Sequence, residues 1–288
     1  MHGLSGIPAR LWLLCRNCRG LPLLCGLCAL RNLREHMHRT FDVMIPHIAH
    51  LTVPAYSLFA FIGLFFMMVF LCCRIQKMRL QFKDFLVLML FMLVGVGIGS
   101  KFVFILTRIP EILTDFSMEN VLRIIITSGF VFYGGLLGAI IGIYIFAKKY
   151  DMIFSDLADI VAPGFPLFHF WGRVGCFFAG CCYGKKAAWG IALENEPGVP
   201  RIPIQLFESA CLLLIFFVLL YLEKKSHNNI PILHVYLFLY AICRFNLEFF
   251  RGDTIRGIWF GLSTSQWISM SIFFYIIWRA RRYGCIHQ

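Results

Sequence analysis

The chain has 288 residues, of which 59% are apolar, 16% aromatic and only 15% charged, with a mean hydropathy of +0.76. That balance excludes a soluble globular domain, whose apolar share is nearer half, and places the chain in a bilayer. A formal net charge of +12 then reads as membrane topology and not as nucleic-acid binding, because the basic residues collect in short loops between apolar runs and form no continuous basic face.

Residues 1–43 form an atypical Cys- and Arg-rich segment. Its Leu-rich stretch is broken by Arg16, Arg19 and Arg31, so it is neither a good signal peptide nor a good span, and one reading is an over-extended start, with Met37 or Met44 as the beginning. Cys15, Cys18, Cys25 and Cys28 have knuckle-like spacing for a four-thiolate zinc site, but the short intervening loop and apolar surroundings weigh against it, and no metal is expected. Other cysteines, such as Cys211 and Cys243, lie scattered in apolar runs, unlike a secreted disulfide framework, and no disulfides are expected.

From residue 44 to 288 the pattern predicts an all-α polytopic membrane domain with seven spans, at 54–73, 84–106, 124–147, 157–178, 204–222, 231–250 and 260–278, each long enough to cross a hydrocarbon core of roughly 30 Å as a helix. One set of span ends carries eleven basic residues, among them Arg74, Lys77, Lys148, Lys149, Lys224, Lys225 and Arg279. The opposite set carries seven: Arg108, Arg123, Lys185, Lys186, Arg201, Arg251 and Arg256. The bias predicts a cytoplasmic C-terminus and an N-terminus outside.

Ionisable residues inside spans cost a few kcal/mol each and point to function. Arg173 sits between Gly172 and Gly175 in the fourth span, while Arg244 and Glu248 stand one helical turn apart in the sixth, followed by Arg251 and Asp253. A structural ion pair is the alternative reading of Arg244 and Glu248. Two separated arginines in a membrane favour an anionic ligand, because the planar guanidinium donates bidentate hydrogen bonds to a phosphodiester. Lys101 either adds a third charge or snorkels to the interface. Tyr133-Gly134-Gly135 is either a ligand-approach segment or a helix-packing face. Glu208, alone in its apolar run, wants a basic partner.

These segments resemble the bacterial prolipoprotein diacylglyceryl transferase family over roughly residues 44–282. Asp159 to Pro166, followed by Gly172-Arg173-Val174-Gly175 and Cys176 to Gly184, looks like the family signature. Tyr240 to Asp253 looks like its second arginine motif, Pro203 to Glu208 like its Gln/Glu motif, Val53 to Tyr56 like the opening of its first span, and Gly261 to Gln266 like the start of its last. The resemblance implies a seven-span plasma-membrane enzyme that moves a diacylglyceryl group from phosphatidylglycerol to the lipobox cysteine of prolipoproteins, releasing glycerol phosphate. Its location would be the bacterial plasma (inner) membrane, with phosphatidylglycerol, lipobox-containing prolipoproteins and membrane lipid as partners, and with no nucleic acid and no cofactor. The implied catalytic residues are Arg173, Arg244, Tyr133 and Glu248; substrate binding falls to Tyr56, Gly134, Gly135, Glu208 and Arg251.

The chain departs from the family pattern where histidine precedes the paired glycines (here Tyr133), where asparagine and glutamate occupy the signature (here Cys176 and Cys181), and in the His-Pro motif (here Ile202). An unperturbed phenol, titrating near pH 10, is a poor base at neutral pH. Glu208 and Glu248 either orient the arginines or take a proton. Cys176, Cys181 and Cys182 read as small packing residues, with a nucleophile or metal role as the alternative. Two other functions stay open: diacylglyceryl transfer to a non-protein acceptor, and non-catalytic phospholipid binding.

Overall fold

The computed structural model describes residues 40–45, 49–114, 117, 131–192, 198–225, 231–252 and 258–286. The chain begins with a hairpin of β1 (Thr40–Ile45) and β2 (Ala49–Pro54), then enters α1 (Ala55–Cys72) and the single turn α2 (Ile75–Met78). α3 (Phe82–Thr107), α4 (Ile109–Thr114), α5 (Phe132–Lys149), α6 (Phe154–Val161) and α7 (Gly164–Phe178) follow. Strands β3 (Lys186–Ala192) and β4 (Pro200–Arg201) lead to α8 (Ile204–Lys225) and α9 (Ile232–Glu248); β5 (Ile258–Trp259) and β6 (Leu262–Ser263) precede α10 (Thr264–Ile286). The four thiols at Cys15, Cys18, Cys25 and Cys28, and residues 124–130 of the third expected span, lie outside the described residues.

Among the described residues four helices are long and apolar enough to cross a membrane: α1, α3, α5 and α8. At 22 residues, α8 is about 33 Å long, a match for a bilayer core. The expected fourth span is two helices. Pro163 supplies no N–H, the Phe165 amide reaches back only three residues to the Ala162 carbonyl at 3.1 Å, and the chain restarts as the 15-residue α7. The sixth is the 17-residue α9, and the seventh is α10, whose first turns carry Thr264, Ser265, Gln266 and Ser269. α10 starts with a reciprocal cap: Gln266 Oε1 accepts from the Ser263 amide at 2.9 Å while Ser263 Oγ accepts from the Gln266 amide at 3.3 Å. Asp159 caps α9 through the Leu233 amide at 2.8 Å.

The helices alternate in direction. A Cβ added at Gly164 would touch Met67 and Leu71, and one at Gly175 would touch Tyr56, so α7 runs antiparallel to α1. α3 and α5 meet backbone to backbone, since a Cβ at Gly138 would lie 1.9 Å from the Gly95 carbonyl oxygen and one at Gly99 2.2 Å from that of Gly134. This small-residue seam is the driving contact between helices that lipid cannot push together by the hydrophobic effect. Gly134 and Gly135 take part in this packing, since the first faces Gly99 and the second Ser100.

Two ends result. At one lie the C-termini of α1, α5 and α8, where Arg74 and Lys77 both pair with Glu223 and so tie α1 to α8. The apolar core, with Leu71, Phe85, Phe146, Leu157, Val161, Leu219 and Tyr236 fully buried, fills this half. At the other end meet the starts of α1, α5, α8 and α10 and the ends of α7 and α9, and there the buried side chains turn polar.

Replacing Gly138 by Leu is expected to lower the unfolding midpoint in detergent by the equivalent of about 3 kcal/mol or more, the upper range for overpacking. Gly97→Leu serves as the control, with nothing within 4 Å of its Cβ; equal effects of the two would show that the seam does not hold the helices.

Candidate functional site

Glu208 lies one turn into α8, fully buried at 0% exposure, and three arginines from two other elements converge on it. Arg173, from the last turns of α7, places Nη2 at 2.9 Å from Glu208 Oε1. Arg244 and Arg251, from the end of α9 and just past it, place their Nη1 atoms at 3.9 and 4.0 Å from Glu208 Oε2. Glu248 forms an ion pair with Arg244, its Oε2 2.6 Å from Nη2, and lies 4.0 Å from Arg251 Nε. Tyr240 donates to Glu208 Oε1 at 3.5 Å, and Ser265 of α10 accepts from Arg244 Nη2 at 3.3 Å.

Among the described residues, three guanidiniums against two carboxylates leave one excess positive charge (+3 and −2) in a space where Arg244 is only 1% exposed. Ions removed from water are tolerated only when paired and hydrogen-bonded. Arg244 Nη1 has no hydrogen-bond partner here, so the cluster holds a buried donor as well as a surplus charge. Both features call for an anion with several acceptor oxygens.

The structure thus brings together Arg173, Glu208, Arg244, Glu248 and Arg251. Tyr133, at the start of α5, shares a 3.1 Å hydrogen bond with Ser269 of α10 and faces Tyr240 at 6.1 Å between rings, so it lines the same end of the bundle. Tyr56 stands on the first turn of α1, where its backbone packs at Gly175. Gly134 and Gly135 are turned toward α3, and Lys101 is half-buried on α3.

One buried group was missed in the sequence. His169 Nε2 accepts from Arg173 Nε at 3.2 Å, its ring stacks on Phe132 at 3.7 Å, and its Nδ1 is buried without a partner. The signal was available as the four-residue spacing His169 to Arg173, which sets both on one face of a helix. Gln205, read in the sequence only as the glutamine of the Gln/Glu motif, is also buried here: its Nε2 donates to the Cys181 carbonyl at 2.6 Å, fixing the loop that leaves α7, while its buried Oε1 has no partner.

That loop carries Cys181 and Cys182, whose Sγ atoms lie with that of Cys176 within 4.8 Å of one another. All three are free thiols. Hydrogen bonds from the Cys176 and Cys181 thiols push the Cys182 thiol below the usual range; against its burial, the Arg173 and Arg251 charges act in the same direction. An apolar cavity of about 280 Å³ opens between α9 and α10, lined by Ala241, Ile242, Phe245, Met270, Phe273 and Phe274 and bounded by Ser269.

Residues 43–280 match the model of the prolipoprotein diacylglyceryl transferase family. A phosphatidylglycerol–prolipoprotein diacylglyceryl transferase of Clostridium tetani is 35% identical over 190 residues, covering 62% of this chain and 72% of that protein. The similarly named transferase 2 of Clostridium perfringens is 35% identical over 181 residues, 61% of this chain and 69% of its own length. A phosphatidylglycerol–prolipoprotein diacylglyceryl transferase of Campylobacter hominis is 31% identical over 254 residues, 82% of this chain and 88% of that protein.

Glu208→Gln is expected to destabilise the folded protein by about 3–5 kcal/mol, the cost of removing one partner from a buried ion cluster. The check is thermal or denaturant unfolding in detergent; a change under about 0.5 kcal/mol, the size of an ordinary surface effect, would show that the arginines do not depend on it.

Proposed function

The chain belongs to the prolipoprotein diacylglyceryl transferase family, whose members are bacterial membrane enzymes, and from that membership we propose how its own residues carry the reaction. It moves the diacylglyceryl group of phosphatidylglycerol to the lipobox cysteine of a prolipoprotein and releases glycerol phosphate. The observation that carries this reading is the buried cluster of Arg173, Arg244 and Arg251 around Glu208 and Glu248, one positive charge in excess among the described residues.

The phosphate of phosphatidylglycerol supplies the missing anion. Arg173 and Arg244 hold it from two helices, and Arg251 extends the donor set. As the carbon–oxygen bond to phosphate breaks, charge builds on the departing glycerol phosphate, and donors already fixed by their ion pairs stabilise it without reorganising. Glu208 and Glu248 act as orienting groups, since each is already ion-paired with arginine. Tyr133 lines the reacting end through Ser269, and Gly134 and Gly135, by letting α5 lie against α3, set its position. Tyr56 closes the lipid side of that end. The apolar cavity between α9 and α10 reaches Ser269, the partner of Tyr133, and is suited to an acyl chain whose headgroup lies at the arginines.

His169 serves as a positioning residue. Accepting from Arg173 Nε, it leaves the Nη edge of the guanidinium for Glu208 and the phosphate.

Seven spans, formed by α1, α3, α5, the α6–α7 pair, α8, α9 and α10 within a membrane domain of residues 44–288, put the arginine cluster at the end opposite the Arg74, Lys77, Lys148, Lys149, Lys224 and Lys225 ends. By the positive-inside rule those basic ends are cytoplasmic, so the site opens toward the outer face of the plasma (inner) membrane, with the start of the first span outside and the C-terminus inside.

Purified protein in phosphatidylglycerol-containing micelles with a lipobox peptide is expected to release glycerol phosphate and add a diacylglyceryl mass to the peptide. Arg173→Lys and Arg244→Ala are each expected to lower the rate by about 10²–10³, as for a lost oxyanion donor. Release without peptide modification would point to a non-protein acceptor, and binding of lipid without release to a non-catalytic role. His169→Phe keeps the stack on Phe132 but removes the acceptor; it is expected to cut kcat about tenfold or more, the worth of a hydrogen bond to a charged group, while lowering stability by no more than about 1–3 kcal/mol, the cost of one buried donor left without its acceptor. An unchanged kcat would remove His169 from the machinery.

A further inference from the structure

The three thiols beside the arginine cluster have no part in the scheme above. Cys176 is buried on α7, one helical turn beyond Arg173 on the same face. Cys181 and Cys182 return to it from the loop that leaves α7, and the three Sγ atoms lie within 4.8 Å of one another. The loop is built to bring them there. Gly180 and Cys182 take left-handed backbone conformations at φ +66° and +59°, a costly choice for a cysteine that persists only where the surroundings enforce it. Gln205 pins the Cys181 carbonyl, the Gly184 amide donates to Ile202, the Lys185 amide to Phe250, and the Gly252 amide to Tyr183, at 2.9–3.0 Å.

We propose that Cys176, Cys181 and Cys182 form a three-thiolate site for a d10 cation of the zinc class, whose fourth position takes the thiol of the acceptor cysteine. A zinc–sulfur bond is about 2.3 Å, so tetrahedral ligation sets sulfurs about 3.8 Å apart; a separation of up to 4.8 Å needs only a small contraction. Soft thiolates select such ions. Three thiolates and a dication carry a net charge of −1, and Arg173 on the same helix face offsets it. No fourth Cys, His, Asp or Glu belongs to the group among the described residues, and Cys181 is exposed. Three protein ligands with an open place are the pattern of a reactive and not of a closed structural zinc site.

The inference rests on the transferase reading and supplies the group that this reading lacks. Tyr133 stands where a histidine was expected, and Cys176 and Cys181 where asparagine and glutamate were. The acceptor's S–H bond breaks as its sulfur joins the metal, and the proton passes to solvent, since a coordinated thiol is deprotonated. The held thiolate then attacks the glyceryl carbon: a carbon–sulfur bond forms, the carbon–oxygen bond to phosphate breaks, and its electron pair leaves on glycerol phosphate.

The test uses the full chain with Cys15, Cys18, Cys25 and Cys28 changed to Ser, so that no other thiol cluster competes. Reduced protein in detergent is titrated with Cd(II), read by sulfur-to-metal charge-transfer absorption, and with Co(II), read by its visible spectrum. One metal per chain is expected, displaced by Zn(II). Cys176→Ser, Cys181→Ser and Cys182→Ser are each expected to weaken binding by tenfold or more, while Cys72→Ser and Cys211→Ser leave it unchanged, and size-exclusion profiles report folding. A cysteine peptide, but not its serine counterpart, is expected to shift the Co(II) spectrum. The site is overturned by absence of the band, by equal binding in the three variants, or by a mass loss of two hydrogens confined to residues 176–182 in protein that takes no metal even after reduction. Binding is measured without turnover, so a failed transfer assay with an intact metal signal counts against the transferase reading alone; full transfer by metal-stripped enzyme overturns the thiol's place at the metal.

Discussion

Charge cannot be left alone in a bilayer, and this fold is arranged around that constraint. Glu208 is the point at which it is met: a single carboxylate on α8, fully buried, that receives a guanidinium from α7 and two from the end of α9. Any helix carrying one of these groups is costly in lipid by itself. The ion cluster therefore acts as polar glue for helices that have no hydrophobic reason to associate, and it holds its arginines rigid for any anion that enters. Stability and site geometry come from the same contacts.

The remainder of the molecule separates two tasks by depth. Toward the basic end, a core of Leu, Phe, Ile and Met side chains and the Arg74–Glu223 tie set the helix arrangement. Toward the other end, the buried side chains include Ser, Gln, His, Arg and Glu. Between them, the glycine seam of α3 and α5 fixes where the start of α5 lies and hence where Tyr133 meets Ser269.

Much of this was legible in the chain itself. Arg173, Glu208, Arg244 and Glu248 stand out because ionisable residues are rare in apolar runs, and the structure gathers all four. Pairing across helices was not legible: the i, i+4 spacing of Arg244 and Glu248 announces their bond, whereas nothing local says that Arg173 and Arg251 converge on Glu208. His169 escaped notice for a related reason, since an aromatic-rich stretch of Phe, Trp and His looks like ordinary lining until its acceptor nitrogen is seen at Arg173. Hydropathy marked the fourth span as one stretch, although Pro163 divides it, because window averages register apolarity and not backbone hydrogen bonds. Of the two readings of Gly134 and Gly135, the structure supplies the packing partner, α3.

The glycine seam also bears on the order in which the protein can be built. α3 and α5 close on each other through their own backbones and need no other helix, so this hairpin can form in the membrane as soon as α5 has been synthesised. α7 has no such independence: Arg173 finds Glu208 only after α8 has been made, and Arg244 arrives later still. During biosynthesis the arginine-bearing segment must therefore wait at a water-accessible place, beside the insertion machinery or at the membrane surface, until its counter-ion emerges. The finished arginine cluster is thus a late product of assembly, seated on a hairpin that was complete well before it.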